Sequence, residues 1–161
     1  VQDFEGIEAV EEDPQAVVIG DIGSAWDHDL LQSLFDQVMA GARLVALHKG
    51  RYWKGEDGLI LDIGCYVSGL EYAAGTRAVV AGKPSAAFFD AALDSLGVDA
   101  EHAVMVGDDV LSDVGGAQER GIRGVLVRTG KFRPEILQES GVAPWRVVDS
   151  VADLPSLLGL D

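Results

Sequence analysis

Short runs rich in Val and Ile alternate along this chain with segments whose apolar residues recur at helical spacing, and that alternation leaves few folds open. The runs lie at Ala16–Ile19, Leu44–Leu47, Ala78–Ala81, Ala103–Val106 and Gly124–Val127. Between them Leu31, Leu34, Phe35 and Val38 mark one face of a helix, and Phe89, Ala92, Leu93 and Leu96 mark another. Ser85 is placed to cap the second helix and Gly97 to stop it. A third helix is expected from about Val110 to Arg120, ending at Gly121, and Ser150 is placed to cap a short one through Leu157 and Leu158. Strand and helix in turn predict an α/β protein: a Rossmann-like parallel sheet with helices on both faces. Residues 49–64 break the rhythm. They hold turn residues and an Asp-Gly but no helical stripe, and read as a connection between two subdomains.

The charge balance removes several classes of partner. With 27 acidic against 12 basic residues the formal net charge is −15, which argues against a nucleic-acid backbone or an anionic membrane as partner. No stretch approaches the roughly 18 to 20 apolar residues of a membrane span, and the acidic start lacks the features of a signal peptide, so a cytoplasmic location is expected. Cys65 is the single cysteine, which excludes an internal disulfide and suits a packing role. A phosphate bound in so negative a field needs a local Lys or a bound cation.

Chemistry concentrates in Ala103–Lys131. An apolar run ends at Gly107, and Asp108, Asp109 and Asp113 follow where the chain turns into a helix. Ligands of parallel α/β sheets bind at the carboxyl ends of strands, and Mg²⁺ takes one or two carboxylates together with waters and phosphate oxygens. Asp108 and Asp113 are therefore candidate Mg²⁺ ligands, whereas Asp109 is read as an acid that complements a helix dipole. Upstream, Lys83 follows another apolar run and precedes the capped helix, which sets an ammonium at the same sheet edge, where it could neutralise a phosphoryl oxygen.

The Gly-Lys-Pro at 82–84, the Gly-Asp-Asp at 107–109 with Asp113, the GGAQ at 115–118, Gly121 and the LVRTGK at 126–131 resemble the third and fourth motifs of the haloacid dehalogenase superfamily. With residues 46–75 they resemble more narrowly its subfamily IIA, in which an α/β cap is inserted between the second and third motifs. The resemblance implies a HAD core, incomplete here, and the later part of a cap: residues 1–62 as cap and 63–161 as core. It implies Mg²⁺-dependent phosphatase chemistry on a phosphorylated small molecule, with Lys83 holding the phosphoryl group, Asp108 on the metal and Asp113 as a supporting acid. Lys49, Arg51 and Tyr52, with His48 and Trp53, become candidates for substrate contact beneath the cap, and Arg128, Lys131 and Arg133 are read as a solvated loop. His28 and His102 have no convergent partners.

The family's first motif is a strand followed by Asp-x-Asp. Asp21 and Asp62 each end an apolar run, but Gly23 and Gly64 stand where the second acid belongs. The nucleophile is therefore expected outside these residues, the chain alone is expected to be inactive, and its unpaired sheet edges are expected to invite self-association, with a homodimer as one form. A non-catalytic metal- or partner-binding α/β module is the alternative. A phospho-receiver domain fits poorly, because receivers place the acidic pair before the Lys.

Overall fold

The computed structural model describes residues 6–160. Its order is β1 (Ala16–Ile19), α1 (His28–Met39), β2 (Arg43–Ala46), β3 (Tyr52–Lys54), β4 (Leu59–Leu61), α2 (Gly64–Ala74), β5 (Val79–Val80), α3 (Ala86–Leu96), β6 (Val104–Gly107), α4 (Gly116–Glu119), β7 (Arg123–Val127), α5 (Pro134–Ser140), β8 (Arg146–Val148) and α6 (Leu154–Leu158). The class is α/β, as the alternation predicts. The parallel strands form two sheets, ordered β1-β2-β5 and β6-β7-β8, and β3 and β4 form an antiparallel hairpin. That hairpin occupies the segment expected to be a plain connection.

In the first sheet Val17, Ile19, Leu44 and Ala46 point into a core completed by Ile63, Val67 and Leu70 of α2 and its leading residue, with Leu31, Leu34, Phe35 and Val38 of α1 packed against it. The opposite face is open: Val18 and Val79 are 46% and 58% exposed. Trp26 stacks on Tyr66 at 4.2 Å and ties the start of α1 to α2. Ile63 and Val67 are fully buried in this core, and Ala78 packs against it. β5 continues this unit by pairing with β2.

The second sheet is covered on both faces at β7, where Gly124 through Val127 are all buried, as a strand flanked by helices requires. Two clusters flank it. Phe89, Ala117 and Ile122 form one, and Val110, Val114 and Leu126 form the other. The expected helix over 110–120 is instead a wide π-type turn, Val110–Gly115, running into the short α4. Its first bonds reach back to Asp109, whose carbonyl accepts from both Asp113 and Val114 N–H. A methyl group at Gly116 would lie 2.8 Å from Phe89 and from Pro84, so the paired glycines let α3 press against this turn. Ser150 caps the final helical segment through a capping box, as expected.

Candidate functional site

The site grows from the end of β6. Gly107 is the last strand residue, and the chain then presents Asp108, Asp109 and, one turn later, Asp113. Asp109 is the cap of the turn: its Oδ1 accepts from the N–H groups of Leu111 and Ser112, both at 2.9 Å. Its Oδ2 is 2.9 Å from Lys131 Nζ. Asp113 is 4% exposed, and both its oxygens are engaged, Oδ1 with Lys83 Nζ at 2.8 Å and Oδ2 with the Asp109 N–H at 3.1 Å. Asp108 accepts from the Lys131 N–H at 2.8 Å through Oδ2, and among the described residues no Lys or Arg side chain pairs with it.

The three acids thus differ. Two carry a lysine each, and the third, without a salt-bridge partner among the described residues, lines a small recess with Arg51, Tyr52, Asp109, Lys131 and Arg133. Burial pushes the Asp109 carboxyl up, but hydrogen bonds from Ser112 and Lys131 outweigh it and hold the group below its usual value. Burial lowers Lys131, and Asp109, Asp108 and Asp113 outweigh that to raise it, so the ammonium stays charged.

A strand-end lysine joined to a strand-end acid cluster is the arrangement the sequence motifs imply. The HAD-hydrolase-like family matches residues 80–154. The human phospholysine phosphohistidine inorganic pyrophosphate phosphatase is 46% identical over 147 residues, which cover 90% of this chain and 54% of that protein. These residues make the chain similar to HAD-like proteins, most directly over 80–154. A p-nitrophenyl phosphatase from Archaeoglobus fulgidus superposes with a TM-score of 0.80 at 30% identity, over 91% of this chain and 58% of that one. A glycerol phosphate phosphatase from Mycobacterium tuberculosis in complex with magnesium gives 0.73 at 29% identity, over 85% and 41%. The chain spans about half the length of the curated relatives it matches.

The expected site residues separate into two groups. Lys83, Asp108 and Asp113 come together as one network, with Asp113 serving as the partner of Lys83. Arg51 and Tyr52 line the recess beside Asp108, the Arg51 guanidinium lying 5.5 Å from the Tyr52 ring centre. Lys49 does not line it. Its ammonium is 2.5 Å from Glu71 Oε2 on α2, because a buried carboxylate there requires a cation. His48 accepts from the Gly50 N–H and lies 3.8 Å from Asp62, and Trp53 is on the exposed hairpin. Asp21 accepts from the Gly23 N–H, and Asp62 from the Ile63 N–H; neither lines the recess. Lys131 and Arg133 do line it, which corrects the reading of that loop as merely solvated. The missed signal was Thr-Gly directly before Lys131: Gly130 has φ +63°, and a Cβ there would fall 1.9 Å from Asp108 Oδ2, so the turn folds closely over the acid.

Among the described residues no three His, Cys, Asp or Glu side chains form a ready metal cage. One free carboxylate on an open recess fits a cation that completes its shell from water and substrate, the habit of Mg²⁺ rather than of a caged structural metal.

Glu71 gives a pH prediction apart from this chemistry. Burial raises its carboxyl, but hydrogen bonds from Lys49 and the Ala78 N–H, with the charges of Lys49 and Arg77, hold it below its ordinary value of 4.5. A lowered carboxyl contributes stability that is fully present above 4.5 and is lost as pH falls through the lowered value. Glu71→Gln should therefore lower the urea midpoint at about pH 7 and lower it progressively less as pH falls below the wild-type carboxyl's lowered value, flattening the acid limb of the stability curve.

Proposed function

We propose that these residues form the phosphate- and metal-binding half of a Mg²⁺-dependent phosphatase site that acts on a phosphorylated small molecule. The observation that carries the reading is the contrast among the three acids: Asp109 and Asp113 are neutralised by Lys131 and Lys83, and Asp108 is left free on the recess. Asp108 would hold Mg²⁺, which when bound neutralises charge on the phosphoryl oxygens and orients them. Lys83, fixed by Asp113, offers its ammonium to the phosphoryl group as charge develops in the transition state. Asp113 acts through Lys83 and at most reaches the metal through water. Arg51 and Tyr52 face the leaving group.

The names of relatives, a phospholysine phosphohistidine inorganic pyrophosphate phosphatase and a glycerol phosphate phosphatase in complex with magnesium, support the reaction class and leave the substrate open. Among the described residues no acid pair of the Asp-x-Asp kind lines the recess, which favours a nucleophile supplied from outside them. Among the described residues no helix is long and apolar enough to cross a membrane; with the acidic charge this favours a cytoplasmic enzyme that binds neither nucleic acid nor lipid. The open face of the first sheet favours a second copy as partner.

The test is hydrolysis of p-nitrophenyl phosphate with and without Mg²⁺, by the full-length gene product and by the 161-residue chain. Mg²⁺-dependent turnover by the first and none by the second is expected. Phosphoester hydrolysis needs accelerations up to about 10²¹-fold, beyond what a Lys and one metal carboxylate supply. Robust turnover by the shorter chain would overturn the absence of a nucleophile and return attention to Asp21 and Asp62.

A further inference from the structure

We infer that Lys131 is a positioning residue that sets which divalent cation Asp108 accepts. The inference rests on Asp108 being the metal ligand, and concerns what keeps its neighbours from joining it.

Three carboxylates leave one strand end within six positions. The number free to bind decides the cation: Ca²⁺ takes six to eight oxygens in a flexible shell and gains from each added carboxylate, whereas Mg²⁺ demands an octahedron and keeps most of its waters. A site that favours Mg²⁺ must therefore hold surplus acids back. Asp113 is held by Lys83 and by the Asp109 N–H, and it is buried.

Asp109 is the competitor, because it lines the same recess as Asp108. Its Oδ1 is committed to the turn, accepting from Leu111 and Ser112. Its Oδ2 is compensated by Lys131 Nζ at 2.9 Å. Without that ammonium, Oδ2 becomes a second anionic oxygen on the recess and the competing acid joins the ligand set. The Lys131 side chain is only 20% exposed, so water screens the pair weakly.

The same residue fixes the chosen ligand by a separate route. Its backbone N–H donates to Asp108 Oδ2 at 2.8 Å, and Gly130, with no Cβ, lets the turn come that close. Side chain and main chain have distinct tasks, so a substitution at 131 removes the first and keeps the second.

The experiment is calorimetric titration of the full-length gene product with Mg²⁺ and, separately, Ca²⁺, together with metal-free thermal melts. Lys131→Met should shift the ratio of affinities toward Ca²⁺ by about tenfold or more. Lys131→Gln, which can still donate to Asp109 but carries no charge, should behave like Met, and Lys131→Arg should keep the wild-type ratio. A ratio within about twofold of wild type in both neutral variants, with Mg²⁺ binding intact and abolished by Asp108→Asn, overturns the role of Lys131 alone. Loss of the fold in both neutral variants overturns it too, since Lys131 would then be structural. No Mg²⁺ binding by the wild type, or binding untouched by Asp108→Asn, overturns the metal reading and this inference with it.

Discussion

Asp108→Asn in the full-length gene product should lower Mg²⁺-dependent hydrolysis of p-nitrophenyl phosphate by about 10³-fold or more in kcat/KM, with the melting temperature nearly unchanged. The substitution keeps shape and one acceptor oxygen, so the Lys131 N–H that now donates to Oδ2 at 2.8 Å retains a partner. What it removes is the negative charge, and Asp108 is the one acid of its cluster without a cation of its own. Loss of a single well-placed group at a developing charge costs about 10²–10³-fold; loss of the group that anchors a divalent cation should cost at least as much.

Asp21→Asn is the matching control. Asp21 is exposed and binds only the Gly23 N–H in its own turn, so its loss should change kcat/KM by less than about twofold. Retention of more than about a tenth of wild-type activity by Asp108→Asn would sink the metal assignment. Inactivation by Asp21→Asn would show that a nucleophile had been overlooked in the first sheet.

How far the site could be read before the structure depended on whether a residue's partner lay close in sequence. Lys83 and Asp108 each follow an apolar run, so a strand-end position for both was legible, although β5 and β6 lie in different sheets. The division of labour among Asp108, Asp109 and Asp113 was not. It depends on two lysines that reach their acids from 30 and 22 positions away, and nothing local says that Lys131 turns back while Lys49 is drawn off by Glu71. Strand positions followed the same logic. Val125 and Leu126 sit in a continuous apolar run and were found, whereas the three-residue strands β3, β4 and β8 are too short to show a period. The helix expected from Val110 to Arg120 carried the right apolar residues, but Gly115 and Gly116 permit a wider turn that tertiary packing then selects.

Gly107→Ala should destabilise the protein by about 3 kcal/mol and disable the site with it. A Cβ at this position would fall 2.2 Å from Asp113 Oδ2 and 2.4 Å from its Cβ, well inside van der Waals contact. Asp113 cannot swing aside cheaply. Its oxygens hold Lys83 and the Asp109 N–H, and its backbone lies in the turn whose Val110 and Val114 are packed in the core against Leu126. Overpacking costs about 1–3 kcal/mol. Displacing a buried carboxylate from its cation adds to that, less than the 3–5 kcal/mol of a fully buried pair because the Lys83 side chain is 38% exposed. Gly69→Ala, inside α2 where an added methyl meets nothing within 4 Å, should instead stabilise by about 0.5–1 kcal/mol through the unfolded chain's lost freedom. Urea denaturation of the two variants beside wild type separates these outcomes. A neutral Gly107→Ala would mean that Asp113 is free to leave Lys83, and the link from strand end to ammonium would have to be abandoned.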